Sequence, residues 1–147
     1  ANEIFNVRSR TPPPPADNAS PALSIFSTSK RTTIAGAQNR GISLRQLRQV
    51  VAYIESHALE DGSLPWTDRY EESPTYNNRL QVDSINLYHV IDWVVKPITR
   101  NSSCSLVEMV AKSEQKPRWF ISHAWAEPVK NFVAAVAQHA EVRGLSE

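Results

Sequence analysis

Apolar residues are spaced unevenly along the chain, and their spacing separates an arm, a helical segment and a terminal unit. From Ser43 onward, Leu44, Leu47, Val50, Val51, Ile54 and Ala58 recur at helical intervals, with Arg45, Arg48, Gln49 and Glu55 between them. That pattern predicts an amphipathic helix. Gln46, placed to reach back to Ser43, completes a capping box, and Asp61-Gly62 supplies the turn that ends the element. A second helix is expected after a cap at Asp83 or Ser84. Ile85, Tyr88, Ile91, Val94 and Val95 recur along it, and Leu87 and Trp93 widen its apolar surface. A helix apolar around most of its circumference is expected to be buried on several sides. Pro97 is expected to stop it. Ser105 with Glu108 repeats the capping box before a short helix, Leu106–Ala111. Between the first two helices, Ser63–Asn78 reads as a loop because of Pro65, Pro74 and its polar residues. Its aromatics Trp66, Tyr70 and Tyr76 either fold back on the helices or face a partner.

The period changes after Pro117. Trp119, Phe120 and Ile121 are consecutive strand formers. Ser122–Glu127 reads as a turn. Pro128 suits the start of a helix, where a missing N–H costs nothing. Val129, Phe132, Val133, Val136, Ala137 and Ala140 then form one apolar face, and Gly144 stands where a C-terminal cap glycine belongs. This predicts a strand–helix unit over 118–147. A single strand Trp119–Ser122 keeps an unpaired edge, so the α/β unit looks unfinished at Glu147. Trp119 and Trp125 flank the loop as core plugs or as interface anchors.

The first forty-one residues carry no core pattern. Pro12, Pro13, Pro14 and Pro15 impose a polyproline II rod. Small apolar clusters, Ile4–Phe5–Val7 and Leu23–Ile25–Phe26, interrupt a Ser/Thr-rich background. Such a composition gains contacts by lying along a partner, which offsets the ordering entropy, or else by packing on its own domain. These clusters and the prolines are therefore candidate anchors. The expected organisation is an extended Pro/Ser-rich arm at 1–41, a small three-helix segment at 42–117 and the strand–helix unit at 118–147. The fold class is mainly α.

Composition narrows the chemistry. Of 147 residues, 41% are hydrophobic and 21% charged, as in water-soluble proteins. The net charge of +1 comes from 16 dispersed Lys and Arg, which argues against a nucleic-acid surface. No apolar run approaches the ~20 residues of a membrane span, so any membrane association would be peripheral, through partners. One Cys excludes an internal disulfide and a cysteine zinc cluster; Cys104 reads as a small packing residue. His57, His89, His123 and His139 include no pair at metal-ligating spacing, and no metal or cofactor is expected. His57 and His139 suit helix C-termini, where the dipole favours a cation, and His89 suits packing. No glycine-rich phosphate loop is present. His123 stands apart, because Ser122–Glu127 joins a predicted strand end to a helix start, a position that favours anions. The chain begins at Ala1 rather than Met, which fits either removal of an upstream targeting peptide or a chain expressed from that point.

FISHA at Phe120–Ala124, a following Glu127 and a helix ending in Arg143-Gly144-Leu145 resemble the first strand and helix of a TIR-like (Toll/interleukin-receptor type) domain. With NLYHVIDWVVKP ahead of PRWFISHAW, the chain also looks like algal proteins that carry a helical segment before a TIR-like one. The resemblance implies a flavodoxin-like α/β unit in which Ser122, His123, Ala124 and Trp125 line a nucleotide loop. It also implies that NAD cleavage would need a glutamate from a later helix, beyond Glu147. Without a complete active site, the sequence is read as a non-catalytic accessory or scaffold subunit of a larger assembly, in an organelle such as a chloroplast. It would hold other protein subunits through the arm and through Trp66, Tyr70, Trp119 and Trp125. The alternative is the N-terminal part of a TIR-like NAD-cleaving hydrolase or signalling adaptor.

Overall fold

The structure, a computed structural model, describes residues 31–145. The expected anchors Ile4, Phe5, Val7, Pro12–Pro15, Leu23, Ile25 and Phe26 lie outside the described residues. The described chain is helix-dominated with a two-stranded sheet. Its elements are α1 (Leu44–Glu55), β1 (Ser63–Thr67), β2 (Arg79–Gln81), α2 (Leu87–Val90), α3 (Lys96–Thr99), α4 (Leu106–Val110) and α5 (Val129–Val142).

Helix α1 starts as its sequence dictates. The Ser43 hydroxyl accepts the Gln46 N–H, and the Gln46 side chain accepts the Ser43 N–H at 2.9 Å. Leu44, Val50 and Ile54 turn inward. Helix α5 packs beside α1 and contributes Val129 and Val133 to the same core. Its C-terminus closes as a Schellman motif: the Gly144 N–H donates to Glu141 O at 3.0 Å and the Leu145 N–H to Ala140 O at 2.9 Å. Gly144 has φ 59°, the left-handed conformation this cap needs.

Ser63–Asn78 is not wholly a loop. Leu64 and Trp66 are buried while Pro65 and Thr67 face out, the alternation of a strand. β1 pairs antiparallel with β2, Ser63 opposite Gln81 and Thr67 opposite Arg79, with an irregularity between. Pro65 falls in that irregularity, where its missing N–H breaks no ladder. This is why the proline there does not prevent a strand. Trp66 folds back: it is 8% exposed and stacks on Trp93 with ring centroids 5.9 Å apart. That leaves it no face for a partner.

The second helix also departs from expectation. Val82–Ser84 is a 3-10 turn and Ile85 a buried, non-helical residue, so neither Asp83 nor Ser84 is the cap. Asn86 caps α2 instead, by accepting the His89 N–H, while the His89 ring accepts the Asn86 N–H. Pro97 does not stop the helix. Residues Ile91–Val95 widen into a π turn and the chain continues through α3 to Thr99. A π turn relieves the clash between a proline ring and the carbonyl four residues earlier. Val90 and Val94 are buried, as the apolar circumference requires.

A second, smaller core joins Ile34 to Val107 and Ala111. Residues 32–41, read from sequence as part of the arm, therefore pack on α4. The Glu108 carboxylate accepts both the Ser105 N–H of its capping box (2.9 Å) and the Ile34 N–H (3.1 Å). Gly41 N–H donates to Gln115 O at 2.6 Å, and the Gln46 and Gln115 side-chain amides pair reciprocally. A Cβ at Gly41 would stand 2.9 Å from that oxygen, so the contact requires glycine. These bonds fix the root of the segment that follows.

Candidate functional site

That segment, 118–127, is where the expected strand fails to form. Trp119–Ser122 is irregular, and among the described residues no strand pairs with it. Strand formers without a neighbouring edge have no ladder to satisfy their backbone. The segment is held at its ends. Its N-terminal side follows Gln115, and its C-terminal side is tied where Trp125 O accepts the Leu87 N–H at 3.1 Å. Val129 N–H donates to Ile85 O at 2.7 Å and anchors the start of α5.

Between these ties the side chains are largely exposed on one side and border a groove on the other. Phe120 is 96% exposed, Trp125 48% and Ile121 46%. Tyr88 lies beside Trp125 with centroids 5.5 Å apart, and Tyr70 stacks on Tyr88 at 5.1 Å. Tyr70, Tyr88 and Trp125 thus form a run of half-exposed rings. Both Tyr70 and Trp125, expected at a partner surface, are in it.

The groove, about 430 Å³, runs along α5. One wall is the α5 face carrying Phe132, Val136 and His139; the other is 119–123. The walls are antiparallel. Trp119 meets His139 edge-on at 5.8 Å near the helix C-terminus, and His123 stacks on Phe132 at 4.1 Å near the N-terminus. His123 Nδ1 lies 3.4 Å from a Glu127 carboxylate oxygen. Its Nε2 is buried with no hydrogen-bond partner among the described residues. The expected anion loop, Ser122, His123, Ala124 and Trp125, is therefore only partly convergent. His123 and the more exposed Ser122 border the groove, while Ala124 and Trp125 are exposed and lie outside it. The Glu127 carboxylate stands at the helix start and would repel an anion there.

Buried charge occurs elsewhere, at Asp68 and Glu108. Asp68 is fully buried at the head of the 68–78 loop. It accepts the Tyr70 N–H at 3.0 Å and the Thr75 hydroxyl at 2.7 Å. His89 Nε2 stands 3.4 Å from it, and since Nδ1 accepts the Asn86 N–H, Nε2 carries the proton. Burial opposes ionisation of Asp68, yet bonds from Ser73, Thr75 and the Tyr70 N–H, with His89 beside it, outweigh that and hold its pKa below the usual range. The Ser105 and Ile34 N–H groups lower the Glu108 pKa to about 2. Both carboxylates are spent on holding backbone, and His89 uses both ring nitrogens. A short-range signal exists only for Glu108, in its capping box; His89 is too distant in sequence from Asp68 for the two to be paired from spacing.

Among the described residues no cluster of His, Cys, Asp or Glu could hold a metal ion, and no helix is long and apolar enough to cross a membrane. His57 Nδ1 lies 2.8 Å from Tyr53 O past the end of α1, and His139 is in the last turn of α5, the helix ends where the sequence puts them. No family model matches the chain, and no curated protein or solved structure matches it.

Proposed function

We propose that this chain is a non-catalytic accessory subunit of a larger protein assembly, docking through the exposed Phe120 and Ile121 and through the run of rings Tyr70, Tyr88 and Trp125. The observation that carries the reading is Phe120, 96% exposed, in a segment that also exposes Trp119, Ile121 and Trp125 by about half. Aromatic anchors of this kind supply much of the binding energy at protein interfaces, and contiguous apolar exposure marks such surfaces. The apolar clusters of the arm serve as further anchors. The algal resemblance points to an organellar, photosynthetic setting.

The test is isolation of the native protein from its source with whatever co-purifies. A fixed set of companion chains, lost in a Phe120→Ser/Trp125→Ser variant that keeps its circular dichroism, supports the reading. A protein that isolates alone, or a variant that keeps all its companions, rejects it. The TIR-like hydrolase remains a second reading because the groove adjoins the loop where the resemblance puts a nucleotide. Its catalytic glutamate would have to come from a segment following Glu147. A protein extended to include that segment that neither binds nor consumes NAD rejects it.

A further inference from the structure

The stretch from Lys116 to Ser122 is exposed throughout. Just before it, the Gln115 N–H donates to Asn39 O at 2.8 Å and Gln115 O accepts the Gly41 N–H. Beyond Gln115 that pairing stops, and among the described residues 116–122 make no backbone hydrogen bond. Trp119, Phe120 and Ile121 are strand formers, so the stretch is an unpaired edge of the kind that recruits another strand. We propose that it pairs with the same stretch of a second copy of the chain, antiparallel about a two-fold axis through Phe120. The pairing rests on the docking reading of Phe120 and Ile121 and names their partner.

Symmetry fixes the register. A two-fold axis normal to an antiparallel pair keeps each residue on its own face, so a residue meets only those an even number of positions away. With the axis at Phe120, that ring, 96% exposed, lies against the partner's Phe120, and Trp119 lies against the partner's Ile121. The central cross-strand pairs are then all apolar, and aromatic and β-branched pairs are the ones that stabilise a ladder. Centring the pair on Trp119 or on Ile121 sets Phe120 against a polar residue, Arg118 or Ser122.

Charge selects the antiparallel direction. Lys116 and Arg118 are exposed, and neither makes an ion pair among the described residues. At the other end, Glu127 is turned back with its carboxylate 3.4 Å from the His123 ring. Arg118, opposite the partner's Ser122, is one residue from the partner's His123 and so within reach of that carboxylate. The two-fold makes this contact twice. A parallel pairing sets Arg118 beside Arg118, and like charges directly opposite are unfavourable. Pro117 has no N–H with which to extend the ladder, and the turn closed by the Glu127 N–H on Ala124 O at 3.0 Å bounds it on the other side. The contact is therefore short and self-complementary, and it closes as a dimer. A ladder this short buries less than a standard interface, so its Kd is on the order of 0.1 mM. At the micromolar concentrations of an unfolding experiment the chain is monomeric, whereas in an assembly the local concentration favours pairing.

The experiment is sedimentation of the full chain, expected as a monomer at micromolar and a dimer at near-millimolar concentration. Phe120→Ser, Arg118→Glu and Glu127→Arg should each weaken the dimer about tenfold. Arg118→Glu combined with Glu127→Arg should restore it. Register is read by cysteines introduced in a Cys104→Ser background, Cys104 being the single cysteine. Phe120→Cys should oxidise to a disulfide-linked dimer, and Trp119→Cys should link to Ile121→Cys faster than either links to itself. Circular dichroism of each variant controls for folding. A chain that stays monomeric at the higher concentration overturns the proposal; if companion chains still co-purify, the docking reading stands without it. A dimer unmoved by Phe120→Ser and Arg118→Glu overturns the site, and a faster crosslink at Ile121 than at Phe120 overturns the register. A dimer that isolates with no other chain keeps the pairing and removes the larger assembly.

Discussion

Two irregular stretches, 68–78 and 118–127, are held by opposite means. The first is polar and rich in turn formers, yet its first residue, Asp68, is fully buried. The second is rich in strand formers, yet Phe120 and its neighbours face outward. In 68–78 the backbone is satisfied from inside: Asp68 N–H donates to Asn78 O, Asn77 N–H to Asp68 O, and the carboxylate takes the Tyr70 N–H. A buried charge with those bonds made is stable; without them it is costly. In 118–127 no edge strand is at hand among the described residues, so the apolar side chains cannot be buried without stranding their amides. Backbone satisfaction, more than hydrophobicity, decides which irregular stretch becomes part of the interior.

The most forceful way to break this comparison is Asp68→Ala. It removes the acceptor of the Tyr70 N–H, leaves the Thr75 hydroxyl only its contact with the Ser73 hydroxyl, and removes the carboxylate facing His89. It should cost about 3 kcal/mol, read as a lower urea midpoint. If stability stays unchanged, 68–78 is not organised by its carboxylate.

Acid titration sharpens the same point. Asp68 and Glu108 both ionise below their ordinary values, so each folded pKa lies under its unfolded one. Each therefore stabilises the fold above the unfolded value and loses that contribution as pH falls through the folded one. For Glu108 the loss should fall between pH 4.5 and about 2. Glu108→Gln should flatten the stability–pH slope in that window, and an unaltered slope would remove Glu108 as its source. Gly41→Ala probes the root of 118–127. The added Cβ meets Gln115 O at 2.9 Å, and the backbone shift should cost about 1 to 2 kcal/mol in thermal unfolding.

The smallest effect is expected in the exposed stretch. Phe120→Ser should change unfolding free energy by no more than about 0.5 kcal/mol, because the ring is already in water. A larger loss would mean that Phe120 is packed in solution, and the contrast between the two stretches would vanish.

Short-range signals are legible in the sequence itself. The capping boxes at Ser43–Gln46 and Ser105–Glu108, the inward faces of α1 and α5, and the Gly144 cap depend on residues within one or two helical turns. The helical preponderance follows from them. The candidate surface is partly legible too: Trp119, Tyr70 and Trp125 stand out as aromatics outside the helical faces and are exposed, whereas Trp66 stands out in the same way and is buried. Tertiary contacts decide the rest. Pro65 lies in a strand because β2 supplies a partner and the irregularity absorbs its missing N–H. Pro97 lies in a continuing helix because a π turn makes room for it. Asn86 displaces Asp83 and Ser84 as the cap because His89 completes its box and Ile85 is drawn into the core. Trp119–Ser122 is irregular because among the described residues no neighbouring strand meets it, and whether such a run becomes a strand depends on hydrogen-bond partners from elsewhere in the chain.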